Sequence, residues 1–262
     1  MNILLIGNCS ENFCKLIKDS KLTTRVYTAN KNPLDNIANI EYHTIEELAE
    51  KAKVIKIDIA ILLDTKLINE NITEIFKNKR INLISVNKKW YNLETSRFFA
   101  KQLVNYYSIN TPKILKAPTT FPIILKTDFP NITHIASSIE DLIQQKEKFP
   151  KEKIFLEEYY DGKVIETISL WDGKTLLIFE PDNLTEVQRD RLHLYKTKLN
   201  FLLSDEKADF LGFFISKLIW HKNDWHFIEF KMGINENLVI AQIKKDLIYL
   251  INSAIYQKLH EI

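Results

Sequence analysis

The sequence predicts an α/β layer at the N-terminal end of the chain, followed by a mixed α+β part. Short apolar runs alternate with helix-like stretches up to about residue 92, which is typical of a parallel sheet. From Phe121 onward the apolar runs follow one another more closely, and the pair Asp172-Gly173 between two of them is a hairpin signal. A long amphipathic stretch then precedes two further apolar runs and a final helical segment.

Residues 1–92 are predicted to form a Rossmann-like N-terminal domain. The predicted strands are the apolar runs MNILLIG, RVYTA, KIDIAILL and INLISV. Between them, the stretches TIEELAEKAK and INENITEIFKNK have helical character. Because strands and helices alternate, the strands are expected to lie parallel in one sheet.

Residues 93–112 are predicted to form a helix that links this domain to the next. The segment LETSRFFAKQLVNYYSI is amphipathic. Its apolar face is predicted to contain Leu93, Phe98 or Phe99, Leu103, and Tyr106 or Tyr107. We expect Pro112 to end the helix, because proline lacks the backbone N–H that a helix interior needs.

Residues 113–180 are predicted to form a small α+β subdomain. Its predicted strands are PIILKT, THIA, KIFLEEYY, VIETISLW and LLIFE. The motif SSIED offers Ser137 and Glu140 as a capping box for the one helix between them.

Residues 181–262 are predicted to form a second subdomain. An amphipathic helix is expected at roughly residues 184–203. Its apolar side is predicted to contain Leu184, Val187, Leu194 and Leu202. The stretch GFFISKLIWHKNDWHFIEF predicts two strands with a turn at Asn223-Asp224, and QIKKDLIYLINSAIYQKL predicts a closing helix.

Composition excludes several classes of protein. The chain has 262 residues with 45% hydrophobic content, so it can bury a substantial core. The net charge is only +2 and no basic run occurs, which argues against a nucleic-acid partner. With no basic leader and no apolar run of about 18 residues, we expect a cytoplasmic protein that does not bind or cross a membrane. Cys9 and Cys14 have no cysteine partners elsewhere and are predicted to be reduced, structural thiols.

Glycine is scarce. The chain contains 5 glycines, whereas average usage is about 7% of residues. Part of the glycine shortage reflects a composition rich in Ile, Lys and Asn throughout the chain. Glycine is nevertheless costly to replace where φ is positive. The turn DFPNI after Lys126 has no glycine, although a loop that cradles phosphate normally needs it. The sequence therefore offers no glycine-rich phosphate-binding loop after Lys126.

Five stretches, taken in order, resemble the ATP-grasp proteins, and specifically glycinamide ribonucleotide synthetase (phosphoribosylamine–glycine ligase). They are MNILLIGN, LETSRFFAKQL, PIILKTD, FLEEYYDG with WDGKT, and GFFISKLI with FIEF and IKKDLIYL. They extend from residue 1 to about residue 257. The resemblance implies an ATP-grasp architecture with an N-terminal Rossmann-like domain, in which ATP lies between the small subdomain and the last sheet. It also implies Mg²⁺, and a reaction in which glycine is activated as an acyl phosphate before an amine attacks it.

The resemblance implies two cationic residues for the phosphates. Lys126 stands at the phosphate lysine of the family, and Arg97 replaces the lysine of the preceding helix. Arginine is a wide planar donor rather than a point charge, so this replacement is not neutral. The alternative for Lys126 is a strand-end lysine whose ammonium lies in water.

The resemblance also implies an adenine-binding segment and one metal ligand. Glu157, Glu158, Tyr159 and Tyr160 match the segment whose backbone holds adenine. The alternative is an ordinary buried strand with solvated glutamates. Glu229 matches the glutamate of the metal motif EFNxRFGD, which reads EFKMGINE here.

Lys231 occupies the position of the second metal ligand in that motif. An ammonium group cannot ligate a cation, so our hypothesis is that Lys231 neutralises Glu229 and leaves a site without Mg²⁺. The alternative is an exposed strand on which the two residues form only a weak pair.

Other departures from the family concern its loops. With the capping box as anchor, the family's loop GLAAGKG falls on Phe129 to Ile132, shortened and without its lysine. Glu166 is displaced by two positions, about 7 Å along a strand, from the family's ribose-binding acidic residues. The substrate loop GNGGREH reads GNCSENF, and the family's further C-terminal domain has no counterpart before Ile262. The six histidines have no metal-ligand spacing, although HKNDWH places two of them on opposite limbs of a turn.

These observations predict a degenerate or regulatory relative of the ligase, connected to purine biosynthesis. Such a protein would bind a nucleotide or act through a protein partner. The first alternative is an active ATP-dependent carboxylate–amine ligase. The second is a protein-interaction module that binds a peptide or protein in the cleft where the family binds ATP.

Overall fold

The computed structural model describes residues 1–118, 120–128 and 131–262, and in these residues the strands form three sheets. The N-terminal sheet is parallel, with strand order β3-β2-β1-β4-β5, as the alternating pattern predicts. Its elements are β1 (Asn2–Ile6), α1 (Glu11–Lys18), β2 (Arg25–Ala29), β3 (Ala38–Asn39), α2 (Ile45–Val54), β4 (Ile59–Leu62), a 3-10 turn (Thr65–Glu70), α3 (Ile72–Asn78) and β5 (Asn82–Ile84). Alternate residues of β1 pack into different apolar clusters, so both faces of the sheet are buried and the strand sequence is continuously apolar.

The predicted linking helix is wrong in two respects. It consists of two helices, α4 (Lys88–Thr95) and α5 (Arg97–Tyr106), because Ser96 leaves the helical conformation and its side chain caps α5 at the N–H of Phe99. The buried face of α5 differs in part from the predicted one. Its buried residues are Arg97, Ala100, Lys101 and Val104. Of the predicted residues, Leu103 and Tyr107 are partly buried against the main core, whereas Phe99 and Tyr106 are exposed.

The second sheet is small and antiparallel, with strand order β6-β9-β7-β8. Its elements are β6 (Ile114–Leu115), β7 (Ile123–Thr127), β8 (Thr133–Ala136), α6 (Ile139–Lys148) and β9 (Ile154–Glu158). The cap of α6 lies one residue later than predicted. Ser138, not Ser137, accepts from the backbone of Asp141, and the Asp141 carboxylate accepts from the backbone of Ser137.

The third sheet is antiparallel, with strand order β11-β10-β12-β13. Its elements and the remaining helices are β10 (Val164–Trp171), β11 (Leu176–Phe179), α7 (Glu186–Asp205), β12 (Gly212–His221), β13 (Asp224–Met232), α8 (Glu236–Gln242) and α9 (Leu247–Ile255). The predicted hairpin β10–β11 is present, but it pairs with β12 rather than with the small sheet. Residues 113–180, which the sequence groups together, therefore contribute strands to two sheets.

Two details of this last part differ from the sequence prediction. The turn between β12 and β13 is formed by Lys222 and Asn223, both with positive φ, one residue earlier than predicted. The closing segment is broken before α9 rather than continuous.

The apolar side of α7 is also rotated from its predicted position. Its buried residues are Gln188, Leu192, Tyr195, Leu199, Leu202 and Leu203. Val187 and Leu194 are 55% and 42% exposed. Leu184 precedes the helix, whose N-cap is Thr185, so the spacing counted from Leu184 does not define a helical face.

The two cysteines are free thiols, as predicted, with their sulfur atoms 3.0 Å apart. They flank the start of α1 at the positions where an apolar pair normally packs across a helix N-terminus. Among the described residues, no helix combines the length and the apolar character needed to cross a lipid bilayer.

Candidate functional site

The candidate site lies where α5 meets the small sheet and the third sheet. Lys126 lies near the end of β7, and Glu157 lies on the neighbouring strand β9. Arg97 and Lys101 are four residues apart on α5 and therefore share one helix face. Glu229 lies on β13, in the third sheet. These elements bring the predicted charged residues together and add Lys101, which the sequence did not single out.

Glu157 joins two buried lysines. Its Oε2 atom lies 3.0 Å from the Lys126 ammonium, and its Oε1 atom forms an ion pair with Lys101. Glu157 is 1% exposed and both lysines are fully buried. The two alternatives, a Lys126 ammonium in water and a solvated Glu157, are therefore wrong.

Burial sets the protonation of the two lysines. Desolvation lowers the pKa of Lys101 to about 8, because removal from water penalises the charged form, although Glu157 opposes this shift. The same desolvation lowers the pKa of Lys126, and again Glu157 opposes it. The cluster therefore holds positive charge away from water, which lowers the stability of the folded protein. A buried anion paired with this charge would offset that loss.

Arg97 connects three parts of the molecule. From α5 its guanidinium donates to the backbone oxygen of Ile132 (3.0 Å) and to the hydroxyl of Thr133 (2.7 Å). It also forms an ion pair with Glu229 of β13, with 2.5 Å between Nη2 and Oε2. Arg97 is thus held in place by both sheets that flank the site.

The hypothesis that Lys231 neutralises Glu229 is wrong. Lys231 pairs instead with Glu166 of β10, at 3.2 Å, while Glu229 pairs with Arg97 and with Lys217 of β12, whose ammonium lies 3.4 Å from Oε1. Lys217 lies directly opposite Glu229 in the strand register, whereas Lys231 is two residues farther along β13. Burial pushes the pKa of Glu229 up, but the charges of Arg97 and Lys217 hold it below its ordinary value.

The predicted adenine segment continues from Glu157 to an aromatic cluster. The backbone N–H of Glu158 donates to the backbone oxygen of Lys113, and the Glu158 carboxylate accepts from the hydroxyl of Tyr160. The ring of Tyr160 stacks on His221 with 3.9 Å between centroids and meets the edge of His226. Burial, followed by the bond to Glu158, raises the pKa of Tyr160 to about 12. Tyr159 is half-buried.

The predicted phosphate loop is only partly described. Phe129 and Pro130, on which half of the predicted loop falls, lie outside the described residues. Ile132 is described, and its backbone N–H donates to the hydroxyl of Thr127. The shortening of this loop remains a prediction from the sequence.

Several polar atoms in the cluster lack a well-aligned hydrogen bond to any described residue. They are Arg97 Nε, Lys101 Nζ and both carboxylate oxygens of Glu157. The contacts of Glu157 with its two lysines are ion pairs by distance, without good hydrogen-bond geometry. Most buried polar groups in proteins are hydrogen-bonded, so the cluster has hydrogen-bonding capacity, at Arg97 Nε above all, that a polar ligand could use.

The predicted metal residue lies among cationic side chains. The described residues contain no group of three or more His, Cys, Asp and Glu side chains arranged to hold a metal ion. Glu229, the predicted metal residue, already has two cationic partners. Lys217 was not singled out by the sequence, because only the register of the β12–β13 hairpin places it against Glu229.

No family model matches the chain. Its sequence is similar to two proteins named phosphoribosylamine–glycine ligase. The one from Clostridium acetobutylicum is 22% identical across the full length of this chain and 76% of its own. The one from Fusobacterium nucleatum is 22% identical across the full length of this chain and 75% of its own.

Solved structures show the fold. Phosphoribosylamine–glycine ligase from Thermotoga maritima superposes with a TM-score of 0.76, at 15% identity, over 98% of this chain and 76% of its own. The biotin carboxylase domain of 2-oxoglutarate carboxylase from Hydrogenobacter thermophilus, in complex with MgADP, ADP and bicarbonate, has a TM-score of 0.70 at 16% identity, with coverages of 96% and 69%. A thermophilic 2-oxoglutarate carboxylase domain, bound to ADP without magnesium and with a disordered phosphate tail, has a TM-score of 0.65 at 16% identity, with coverages of 98% and 70%. The chain therefore has the predicted ATP-grasp fold and resembles phosphoribosylamine–glycine ligases.

Proposed function

We propose that this ATP-grasp chain is a degenerate relative of phosphoribosylamine–glycine ligase that binds a nucleotide but does not ligate. Its role would be regulatory, in the cytoplasm, and connected to purine biosynthesis. The observation that carries this proposal is the double neutralisation of Glu229 by Arg97 and Lys217. To hold Mg²⁺, this carboxylate would have to give up two ion pairs in a largely buried place, which costs more than it would on the surface.

The buried cations support nucleotide binding. Lys101 and Lys126 lie beside each other with only Glu157 between them, and Arg97 has a donor without a partner among the described residues. Phosphate oxygens would satisfy these donors and restore charge balance. The structural relatives support the same ligand class, since two of them are described as ADP complexes, one of them without magnesium.

In this proposal each side chain has a binding task. Lys126 and Lys101 hold phosphate charge, and Arg97 keeps the two sheets together around it. The backbone from Glu157 to Tyr160 receives the adenine ring, with the Tyr160 and His221 stack beside it.

The test is a calorimetric titration with ATP and ADP, in EDTA and in Mg²⁺. We expect binding under both conditions. We also expect each bound nucleotide to raise the melting temperature, since a ligand that binds only the folded protein stabilises it by mass action. The variant Lys126→Ala should lose binding, whereas Lys113→Ala, which keeps its backbone contact to Glu158, should retain it. The proposal fails if neither nucleotide binds, or if ADP is released from ATP in the presence of glycine and phosphoribosylamine.

The first alternative is an active ATP-dependent carboxylate–amine ligase. It is favoured by the similarity, which extends over the whole chain. It requires nucleotide binding that depends on Mg²⁺, together with ADP formation that is lost in Lys126→Ala. Nucleotide binding without ADP formation would leave the degenerate relative as the better explanation.

The second alternative is a protein-interaction module. It is favoured by an exposed apolar stripe on α7, at Val187, Leu194 and Phe201, with a spacing of seven residues. A module of this kind would capture a specific partner whether or not nucleotide is present. Loss of the partner after Leu194→Glu, combined with no response to ATP or ADP, would favour it.

A further inference from the structure

Three charged residues form a row across the third sheet. Glu166 of β10 lies directly opposite Lys217 of β12, and Lys217 lies directly opposite Glu229 of β13. Residues directly opposite one another on adjacent strands project from the same face, and adjacent strands are about 4.8 Å apart. The register therefore places one ammonium-bearing side chain between two carboxylate-bearing side chains.

The contacts within this row keep the charges paired. The Lys217 ammonium lies 3.4 Å from Glu229, and the second oxygen of Glu229 is held by Arg97. Glu166 pairs with Lys231, which is half-exposed at the edge of the row. Lys217 itself is 35% exposed, so it can hold Glu229 and still reach a ligand.

Two carboxylates on either side of one central position can bind a divalent cation between them, because such cations take oxygen ligands. Here that central position belongs to a lysine. We infer that the Lys217 ammonium takes the place of a divalent cation between Glu166 and Glu229, and that the site accepts nucleoside di- or triphosphate free of metal. The second half of this inference rests on the proposed nucleotide-binding function, whereas the first half does not.

The preference for metal-free nucleotide follows from charge. Among the described residues, the four cations Lys217, Arg97, Lys126 and Lys101 form ion pairs with two carboxylates, Glu157 and Glu229. Free ADP carries more negative charge than its Mg²⁺ complex and therefore complements this excess better. The Mg²⁺ of a complexed nucleotide would meet the Lys217 ammonium, which repels it.

The first experiment uses Mn²⁺ alone as the probe, without nucleotide. Binding is measured by the loss of the free Mn²⁺ electron paramagnetic resonance signal in wild-type protein, Lys217→Ala and Lys217→Met. We expect both variants to bind Mn²⁺ at least about tenfold more tightly than wild type, since removal of the ammonium opens the central position between the two carboxylates to a cation. Adding Glu229→Gln to either variant should abolish the gain.

The matched control is Lys231→Ala. This variant also removes one positive charge from the third sheet, on the neighbouring strand β13, and it frees Glu166 from its ion pair. Because Lys217 remains in place, we expect no gain in Mn²⁺ affinity. Equal Mn²⁺ affinity in wild type, both Lys217 variants and this control would overturn the inference. An equal gain in the control would also overturn it, since the effect would then be one of net charge alone.

The second experiment measures ADP binding by calorimetry in EDTA. We expect Lys217→Met to weaken ADP at least about tenfold, as the loss of a charge-assisted contact does, and Mn²⁺ to restore the affinity. Urea unfolding of each variant verifies that it is folded. If wild type binds ADP only with Mg²⁺, this inference is wrong while nucleotide binding stands. If ADP binds under no condition, the proposed function is wrong, and the Mn²⁺ titration still decides the role of Lys217.

Discussion

At the scale of single residues, Glu157 is the buried carboxylate that pairs with both buried lysines of the site. It is one of the few fully buried carboxylates among the described residues, and it balances two buried ammonium groups. Removing one member of a buried ionic group leaves charges without compensation, which costs more than the intact group contributes.

The substitution Glu157→Gln should therefore destabilise the protein. We expect the free energy of unfolding to fall by about 3 kcal/mol at pH 7, a loss that is limited because Lys101 or Lys126 can give up a proton. The measurement is urea unfolding followed by circular dichroism. The neighbouring Glu158→Gln is the control, since Glu158 is partly exposed and we expect it to cost less than about 1 kcal/mol. Similar losses in the two variants would contradict the description of Glu157 as the centre of the cluster.

The lowered pKa of Lys101 predicts that the stability of the protein depends on pH. This pKa is about 8 in the folded protein and about 10.5 when unfolded, so between these values the unfolded chain binds more protons. Stability from this group therefore rises as the pH rises through this window, by up to about 3 kcal/mol in total. Below pH 8 the full cost of burying the charged form is present.

The measurement compares wild type with Lys101→Met in urea at pH 7.5, 8.5 and 9.5. We expect the free energy of unfolding of wild type to increase relative to that of the variant at each step. Lys126 is present in both proteins and shares Glu157 with Lys101, so the comparison reports how Lys101 changes the titration of the cluster. A difference that does not change with pH would show that Lys101 is not desolvated in the folded protein.

At the scale of elements, the close packing of β12 against the chain that follows β9 explains one of the few glycines. A Cβ atom on Gly162 would lie 1.9 Å from the backbone oxygen of Trp220 on β12, so only glycine fits there. Gly7, with φ of +111°, is required for a different reason, because its backbone conformation is unfavourable for residues with side chains. The glycines at these two positions are explained by conformation and packing, without reference to catalysis.

The orientation of α7 can be tested with two leucines of the same helix. Leu199 is buried in the main core, whereas Leu194 is 42% exposed. We expect Leu199→Ala to lower the free energy of unfolding by about 3 kcal/mol and Leu194→Ala by less than about 1 kcal/mol. The measurement is urea unfolding of both variants. A larger loss at Leu194 would restore the helix face predicted from the sequence.

At the scale of the whole molecule, the site couples two sheets that do not share a strand. Lys126 and Glu157 belong to the small sheet, and Lys217 and Glu229 to the third sheet. Arg97 on α5 links them, by hydrogen bonds to Ile132 and Thr133 on one side and an ion pair with Glu229 on the other. A ligand that contacts both sets of charges must therefore restrain both sheets.

Hydrogen exchange measured by mass spectrometry should show this coupling. We expect ADP to slow exchange in β7 and β9 and also in β12 and β13, while the N-terminal sheet changes little. Adenosine is the control, because it lacks phosphates and should not protect β12 or β13. Protection confined to the N-terminal sheet would place the ligand elsewhere.

The sequence also indicated much of the site. The ordered motifs located Arg97, Lys126, Glu157 and Glu229, and the structure brings these four together. The pairing of Glu229 could not be predicted, because it depends on the register of a hairpin with a bulge and on a helix far away in the chain. The phase of α5 was missed for a related reason: its buried face carries charges, which a search for apolar periodicity does not find.

The sequence by itself determined the framework: the parallel N-terminal sheet, the hairpins and the order of motifs that identifies the ATP-grasp fold. These follow from local patterns, since strand and helix periodicity and turn residues act over a few positions. Only the tertiary structure decided which charges meet. Arg97 and Glu229 are separated by 132 positions, and Lys101 reaches Glu157 across two different elements. Such pairs exist only after packing has removed the side chains from water, because burial is what makes each charge require a partner.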